Sequence, residues 1–140
     1  MYRKTFVALI GAIGLATAGA AVAAAATSSG PAVSVQIKTV SRTLRQVVAH
    51  GERGWITKGG TPHGKCPATS AAGALDAATH GNWTGKYYAS VGGIFITSIL
   101  GVTPKSPQYW SLFVNGKSSS EGACAVTLHA GEKLLFKVVK

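Results

Sequence analysis

The sequence predicts an α+β domain, with mostly antiparallel strands and one short helix. Three stretches carry that prediction. In residues 33–38, Val33, Val35 and Ile37 fall on one face and Ser34, Gln36 and Lys38 on the other, which is the period of a half-buried strand. Residues 68–81, ATSAAGALDAATHG, switch to a helical period, with Ala71, Ala74, Leu75 and Ala78 on one side. Residues 109–116, YWSLFVNG, form an apolar strand that breaks at Asn-Gly. That dipeptide is a strong hairpin signal, because a type I′ turn needs positive φ at both central residues.

The elements follow in order. Residues 1–26 open with Arg3 and Lys4, continue through an apolar run from Phe6 and close on small residues around Ala24 to Ala26. This is the pattern of a cleaved secretory signal peptide. The alternative is an uncleaved anchor, since the run is nearly long enough to span a bilayer. Residues 27–32 read as a short tether and residues 33–140 as the domain. TLRQVVAH, residues 43–50, could pair with the first strand. Residues 51–67 are rich in Gly, Pro and charge and read as a loop.

For the helix, Thr69 or Ser70 is placed to cap the N-terminus, and Gly81 stands where a C-terminal glycine belongs. Gly73 inside it is unfavourable by propensity. Gly92-Gly93 marks a turn or bulge before IFITSIL, a buried strand by its β-branched and aromatic content. TPKSP is a loop. In the opening hairpin strand, Trp110, Leu112 and Val114 share one face and Tyr109, Ser111 and Phe113 the other, before the turn at Asn115-Gly116. ACAVTLHAGEKLLFKVV supplies further strand, with Ala130-Gly131 as a turn before Leu134, Phe136 and Val138. The expected count is six or seven strands, with Trp110, Phe113 and Phe136 in the core.

The formal net charge is +10, from 14 basic and 4 acidic residues. The bases of residues 27–140 are dispersed, with no adjacent run and no aromatic nucleic-acid motif, so nucleic acid is not an expected partner. A cationic surface outside the cell would attract anionic polymers or membrane surfaces. No second stretch is apolar and long enough to cross a membrane, so no span is expected after residue 26. The two cysteines, Cys66 and Cys124, are expected to form one disulfide in an oxidising compartment, joining the start of the helix to a strand.

Motifs for catalysis are missing. There is no nucleophile elbow, no phosphate-binding loop and no dinucleotide fingerprint in the chain. Of the four acids, Asp76 sits in the helix and Glu132 after a turn, which leaves Glu52 and Glu121 as the one conceivable glycosidase pair. HGKC, residues 63–66, resembles half a metal site without a second half, so no metal is expected. Trp83, Tyr87, Tyr88 and Tyr109 lie in loops or at strand ends, as does Trp55. Flat rings at such positions either pack as lids or stack on a sugar or corrin, and the first four are the ligand-binding candidates.

YWSLFVNGKSSSEGACAVTLHAGEKLLFKV resembles the signature of the transcobalamin-like C-terminal domain, the DUF4430 family. The likeness runs through Trp110, Val114, Asn115, Gly116, Gly122, Cys124, Gly131 and Glu132. Upstream, SAAGALDAATHGNW is similar to the family's short helix and VGGIFITSILGV to its following strand. The resemblance implies a β-grasp-like fold and a lone exported binding module. It also makes cobalamin a candidate ligand, because in vertebrate transcobalamin this domain closes over cobalamin held by a helical barrel, which has no counterpart here. No cofactor is required on this reading, and Trp110, Asn115 and Gly116 become structural residues. A cell-envelope glycan or a partner protein is the alternative ligand, and a small secreted hydrolase the weakest reading.

Overall fold

A computed structural model describes residues 30–140, and the expected signal peptide lies outside the described residues. Strands β1 (Ala32–Lys38) and β2 (Thr43–His50) form a hairpin, followed by a loop with one 3-10 turn and helix α1 (Ala71–Thr79). Then come β3 (Trp83–Tyr88), β4 (Gly93–Ile99), β5 (Tyr109–Val114), the two-residue β6 (Lys117–Ser118) and β7 (Lys133–Val139). Gly30 and Pro31 already bond to Gly51, so the end of the expected tether belongs to the fold.

The main sheet has the order β2-β1-β7-β5-β6. First and last strands run parallel at its centre, and β2 and β5 flank them antiparallel. This mixed sheet with one helix packed on it is the β-grasp-like α+β arrangement expected from the sequence. The register lays one apolar face across three strands. Val35 pairs with Leu134 and Ile37 with Phe136, while Leu112 meets Phe136 and Trp110 meets Val138. All seven are buried under the helix or the neighbouring loops. The alternate residues, Ser34, Gln36 and Lys38 among them, line the opposite face. Phe113 belongs to that second face and is half-buried, so it is not the core residue expected.

Helix α1 is short, and its seat explains its composition. Ala71, Ala72, Ala74, Leu75 and Ala78 are buried. A Cβ on Gly73 would stand 1.7 Å from the Ala68 carbonyl oxygen, so only glycine lets the first turn settle on that loop. Ser70 occupies the cap position, but its hydroxyl makes no capping bond. Instead the Ala71 and Ala72 N–H groups donate to Val126 O (2.9 Å) and Ala123 O (3.0 Å). The helix start is therefore capped by the backbone of the loop that carries Cys124.

Cys66 and Cys124 are bonded, with 4.8 Å between their Cα atoms. Cys124 lies in this loop and not on a strand as expected. The stretch from Ala123 to Leu128 contributes carbonyls and one isolated bridge, Ser70 with Thr127, in place of the expected strand. At its other end the helix closes on two positive-φ residues, His80 (φ 52°) and Gly81 (φ 76°), with the Gly81 N–H donating to Asp76 O at 2.9 Å.

Two turns of the same kind shape the second half. Asn115 (φ 49°) and Gly116 (φ 82°) form the expected hairpin between β5 and β6. Asn115 also holds β7, because its N–H donates to Lys133 O (2.8 Å) and its Oδ1 accepts from the Lys133 N–H (2.9 Å). Leu100 (φ 49°) and Gly101 (φ 78°) make a second turn, closed by mutual bonds between Ile99 and Val102. The Trp110 indole donates to Val102 O at 3.1 Å and ties that turn to the main sheet.

Reducing the Cys66–Cys124 bond, or replacing both cysteines by alanine, should lower stability by about 4 kcal/mol, because the bond spans 58 positions. Denaturant unfolding with and without reductant measures it, and an unchanged midpoint contradicts it. Gly116→Val should cost about 1 kcal/mol through backbone strain alone, since no atom lies within 4 Å of a Cβ there. Gly73→Ala should cost more, about 1–3 kcal/mol, by steric conflict with Ala68. Thermal melts that rank the two in the opposite order would refute this account of the helix seat.

Candidate functional site

The β3–β4 hairpin has an inner and an outer face. Trp83, opposite Ile99, and Tyr87, opposite Ile94, point inward with Ile96. Lys86 and Phe95 pair on the outer side, next to Tyr88. This alternation exposes Phe95 by 48% while burying Ile94 and Ile96. The strand read as buried from its content is largely so, and its aromatic ring is the part turned outward. A bulge at Thr84/Gly85 leaves Ile99 inward again beyond it.

Phe95 is the ridge of a continuous aromatic surface. On one side a concavity of about 530 Å³ is lined by Tyr88, Val91, Ile94, Glu121 and Gly122. Two smaller concavities carry the surface onward to Tyr109 on β5, and all three share Phe95. Tyr88 and Tyr109 are each 43% exposed. The Lys86 ammonium stands 5.3 Å from the centre of the Tyr88 ring, a distance at which a cation is attracted to the ring face. The residue-119–122 loop runs beside this surface, where Gly122 faces Gly93. Ser119 orders that loop, accepting from the Glu121 N–H (3.1 Å) and donating to the Glu121 carbonyl (2.9 Å).

The four aromatic residues singled out in the sequence divide three ways. Tyr88 and Tyr109 flank the Phe95 ridge. Tyr87 is half-buried against the core. Trp83 is 2% exposed and begins β3, so it offers no ring to an external ligand. Its indole N–H donates to Asp76 Oδ1 at 2.7 Å. Lys58 lies 3.8 Å from the same carboxylate, 5.2 Å from the Trp83 ring centre, and donates to Gly81 O (2.7 Å) and Trp83 O (3.0 Å). Trp55 packs edge-on against His63 in the long loop. Phe95 was not singled out in the sequence, because the apolar run Ile94-Phe95-Ile96 gives no alternation that marks its outward side, and Glu121 was named there only as a possible catalytic acid.

The other candidates fall out by placement. The sulfur of Cys66 is committed to the disulfide, so HGKC supplies no thiolate for a metal. Among the described residues no group of three or more His, Cys, Asp or Glu side chains is placed to hold a metal ion. Asp76 is engaged by Trp83 and Lys58, and Glu132 accepts from the His129 N–H at 2.9 Å. Glu52 and Glu121 line different concavities. No helix among the described residues is long and apolar enough to cross a membrane.

Comparison with known proteins supports the fold. Residues 68–140 match the model of a family described as a domain of unknown function, DUF4430. Haptocorrin, solved in complex with Cbi, superposes with a TM-score of 0.58 at 19% identity, over 79% of this chain. The chain spans only a quarter of haptocorrin's length, 25%. A protein from Ruminococcus gnavus ATCC 29149, to which metal binding has been ascribed, superposes with a TM-score of 0.56 at 13% identity, over 79% of this chain and 97% of that one. No curated protein matches the chain.

Trp83→Phe should lower stability by about 1 kcal/mol or more, since it removes the donor to a half-buried carboxylate. Tyr88→Ala, at an exposed position, should stay within about 0.5 kcal/mol of the parent. Equilibrium unfolding of both variants checks this, and a neutral Trp83→Phe would put that ring's structural role in doubt.

Proposed function

We propose a binding function on the premise that this chain belongs to the DUF4430 family. The chain is an exported, non-enzymatic module that presents an aromatic face to a large, flat, partly apolar ligand. The observation that carries this reading is the exposure of Tyr88, Phe95 and Tyr109 on one continuous surface. Exposed rings of this size are costly to leave in water and stack readily on an apolar ligand face. The Glu121 loop adds polar groups at the rim.

A corrinoid of the cobalamin type suits such a face, and haptocorrin's likeness in fold favours it over other flat ligands. Small-molecule pockets bury about 70–90% of a drug-sized ligand, which an open face cannot do for so large a molecule. Binding by this chain alone is accordingly weak, and a partner protein or second domain completes the site. The signal-like residues 1–26 and the disulfide both favour export. An anionic envelope glycan is the second reading, favoured by Lys86 beside Tyr88 and by the net charge of +10.

Calorimetric titration of the full chain with cobalamin, and separately with an anionic envelope polysaccharide, tests both readings. Weak heat with cobalamin that falls about tenfold in affinity for Phe95→Ala supports the first. Clear heat with polysaccharide and none with cobalamin replaces it with the second. Silence in both removes the aromatic face as a ligand site for the chain acting alone.

A further inference from the structure

A second surface lies away from the aromatic face, on the opposite edge of the sheet. Strand β2 has a single sheet neighbour, β1. The Ser34 N–H donates to Glu132 O at 2.8 Å, so Ser34 and its alternates turn toward β7 and Val33, Val35 and Ile37 turn toward β2. Their partners are Ala49, Val47 and Arg45. The phase of an antiparallel ladder then points the backbone groups of Gln46, Val48 and His50 away from the sheet. Three donors and three acceptors stand at two-residue spacing on a strand of eight residues. The other end of the sheet differs, because β6 pairs with Phe113 and Val114 and the Ser119 N–H occupies Leu112 O at 2.9 Å.

Beside the free edge runs a groove of about 500 Å³ between β2 and the end of α1. Val47, Ala49 and Ala77 give it small apolar walls, and Arg45 and Arg53 give it cationic ones. Glu52 is its one acid. The Arg45 guanidinium donates to Ala78 O at 3.1 Å, and with five N–H groups it keeps donors for an incoming acceptor. Long edge strands are ordinarily blunted against pairing by charge, proline or a cover, yet Gln46 to Ala49 carry none of these and Val48 is 70% exposed.

We infer that β2 is a docking strand for an extended, acidic segment of a partner protein. The segment adds to the sheet by main-chain bonds at Gln46, Val48 and His50, with alternate side chains entering the groove. Charge selects the occupant. Two copies paired edge to edge would bring together molecules of like, strongly positive charge, whereas carboxylates meet Arg45 and Arg53 favourably.

The probe is a capped peptide alternating valine with glutamate, the length of β2, mixed with the full chain. Its lysine counterpart is the control. The glutamate peptide should bind, slow amide exchange at Gln46, Val48 and His50, and weaken as salt rises. Val48→Pro removes one outward donor at an edge position where proline is tolerated, and should weaken binding about tenfold with the far-ultraviolet dichroism unchanged. If that variant does not fold, the exchange pattern of the parent chain decides. Equal binding of the lysine peptide, protection confined to other residues, or undiminished binding by folded Val48→Pro overturns the proposal. Concentration-dependent protection of the same amides without peptide also overturns it, in favour of pairing between copies.

Discussion

The start of helix α1 rests on two carbonyl groups from a loop more than fifty residues away in sequence, and the remaining architecture follows from that contact. Ala123 O and Val126 O take the N–H groups that a helix always leaves unpaired at its first turn. The Cys66–Cys124 bond holds that loop against the segment leading into the helix. Gly73 lets the first turn approach Ala68 closely enough for both contacts to form. A side-chain cap would have held the helix locally. A backbone cap ties it to a distant part of the chain, the segment between β6 and β7.

The other end of the helix is joined to the β3–β4 hairpin by Lys58, Asp76 and Trp83. The carboxylate satisfies an indole N–H, and the ammonium satisfies two carbonyls where the helix turns into β3. With Trp83 fixed inward, the pleat assigns every later residue of the hairpin to a face. Tyr87 and Ile94 go in, and Tyr88 and Phe95 go out. The aromatic surface is therefore a consequence of the same packing that buries Trp83. Its outer wall, the Glu121 loop, is the continuation of the segment that caps the helix, so the core and the candidate site share one support.

The two ends of the main sheet are finished differently, and that difference separates the two surfaces. At the β5 end, β6, Ser119 and the neighbouring β4 occupy the edge and build the aromatic face. At the β2 end the backbone stays open beside a cationic groove. A small domain with a single helix can cover only one face of its sheet, and it has no further element to close the second edge.

Much of the fold was legible in the sequence because the signals are local. Val33, Val35 and Ile37 reveal their strand by period, Asn115-Gly116 reveals its turn by the φ it requires, and a single pair of cysteines points to one bond. Tertiary structure decided what depends on distant partners. The Ser70 hydroxyl looked like the cap until Val126 and Ala123 supplied it, and Gly73 looked unfavourable until Ala68 explained it. The candidate site was half legible: Tyr88 and Tyr109 were marked as aromatic residues at strand ends. Trp83 had the same appearance, but its ring is turned inward by Asp76, and Phe95 is turned outward by the pleat of a strand rich in apolar residues. The sequence by itself determined which residues could form strands, turn and bond. Which rings meet water was decided only when the hairpin docked, because facing is set by the neighbour a strand packs on and not by the residues it contains.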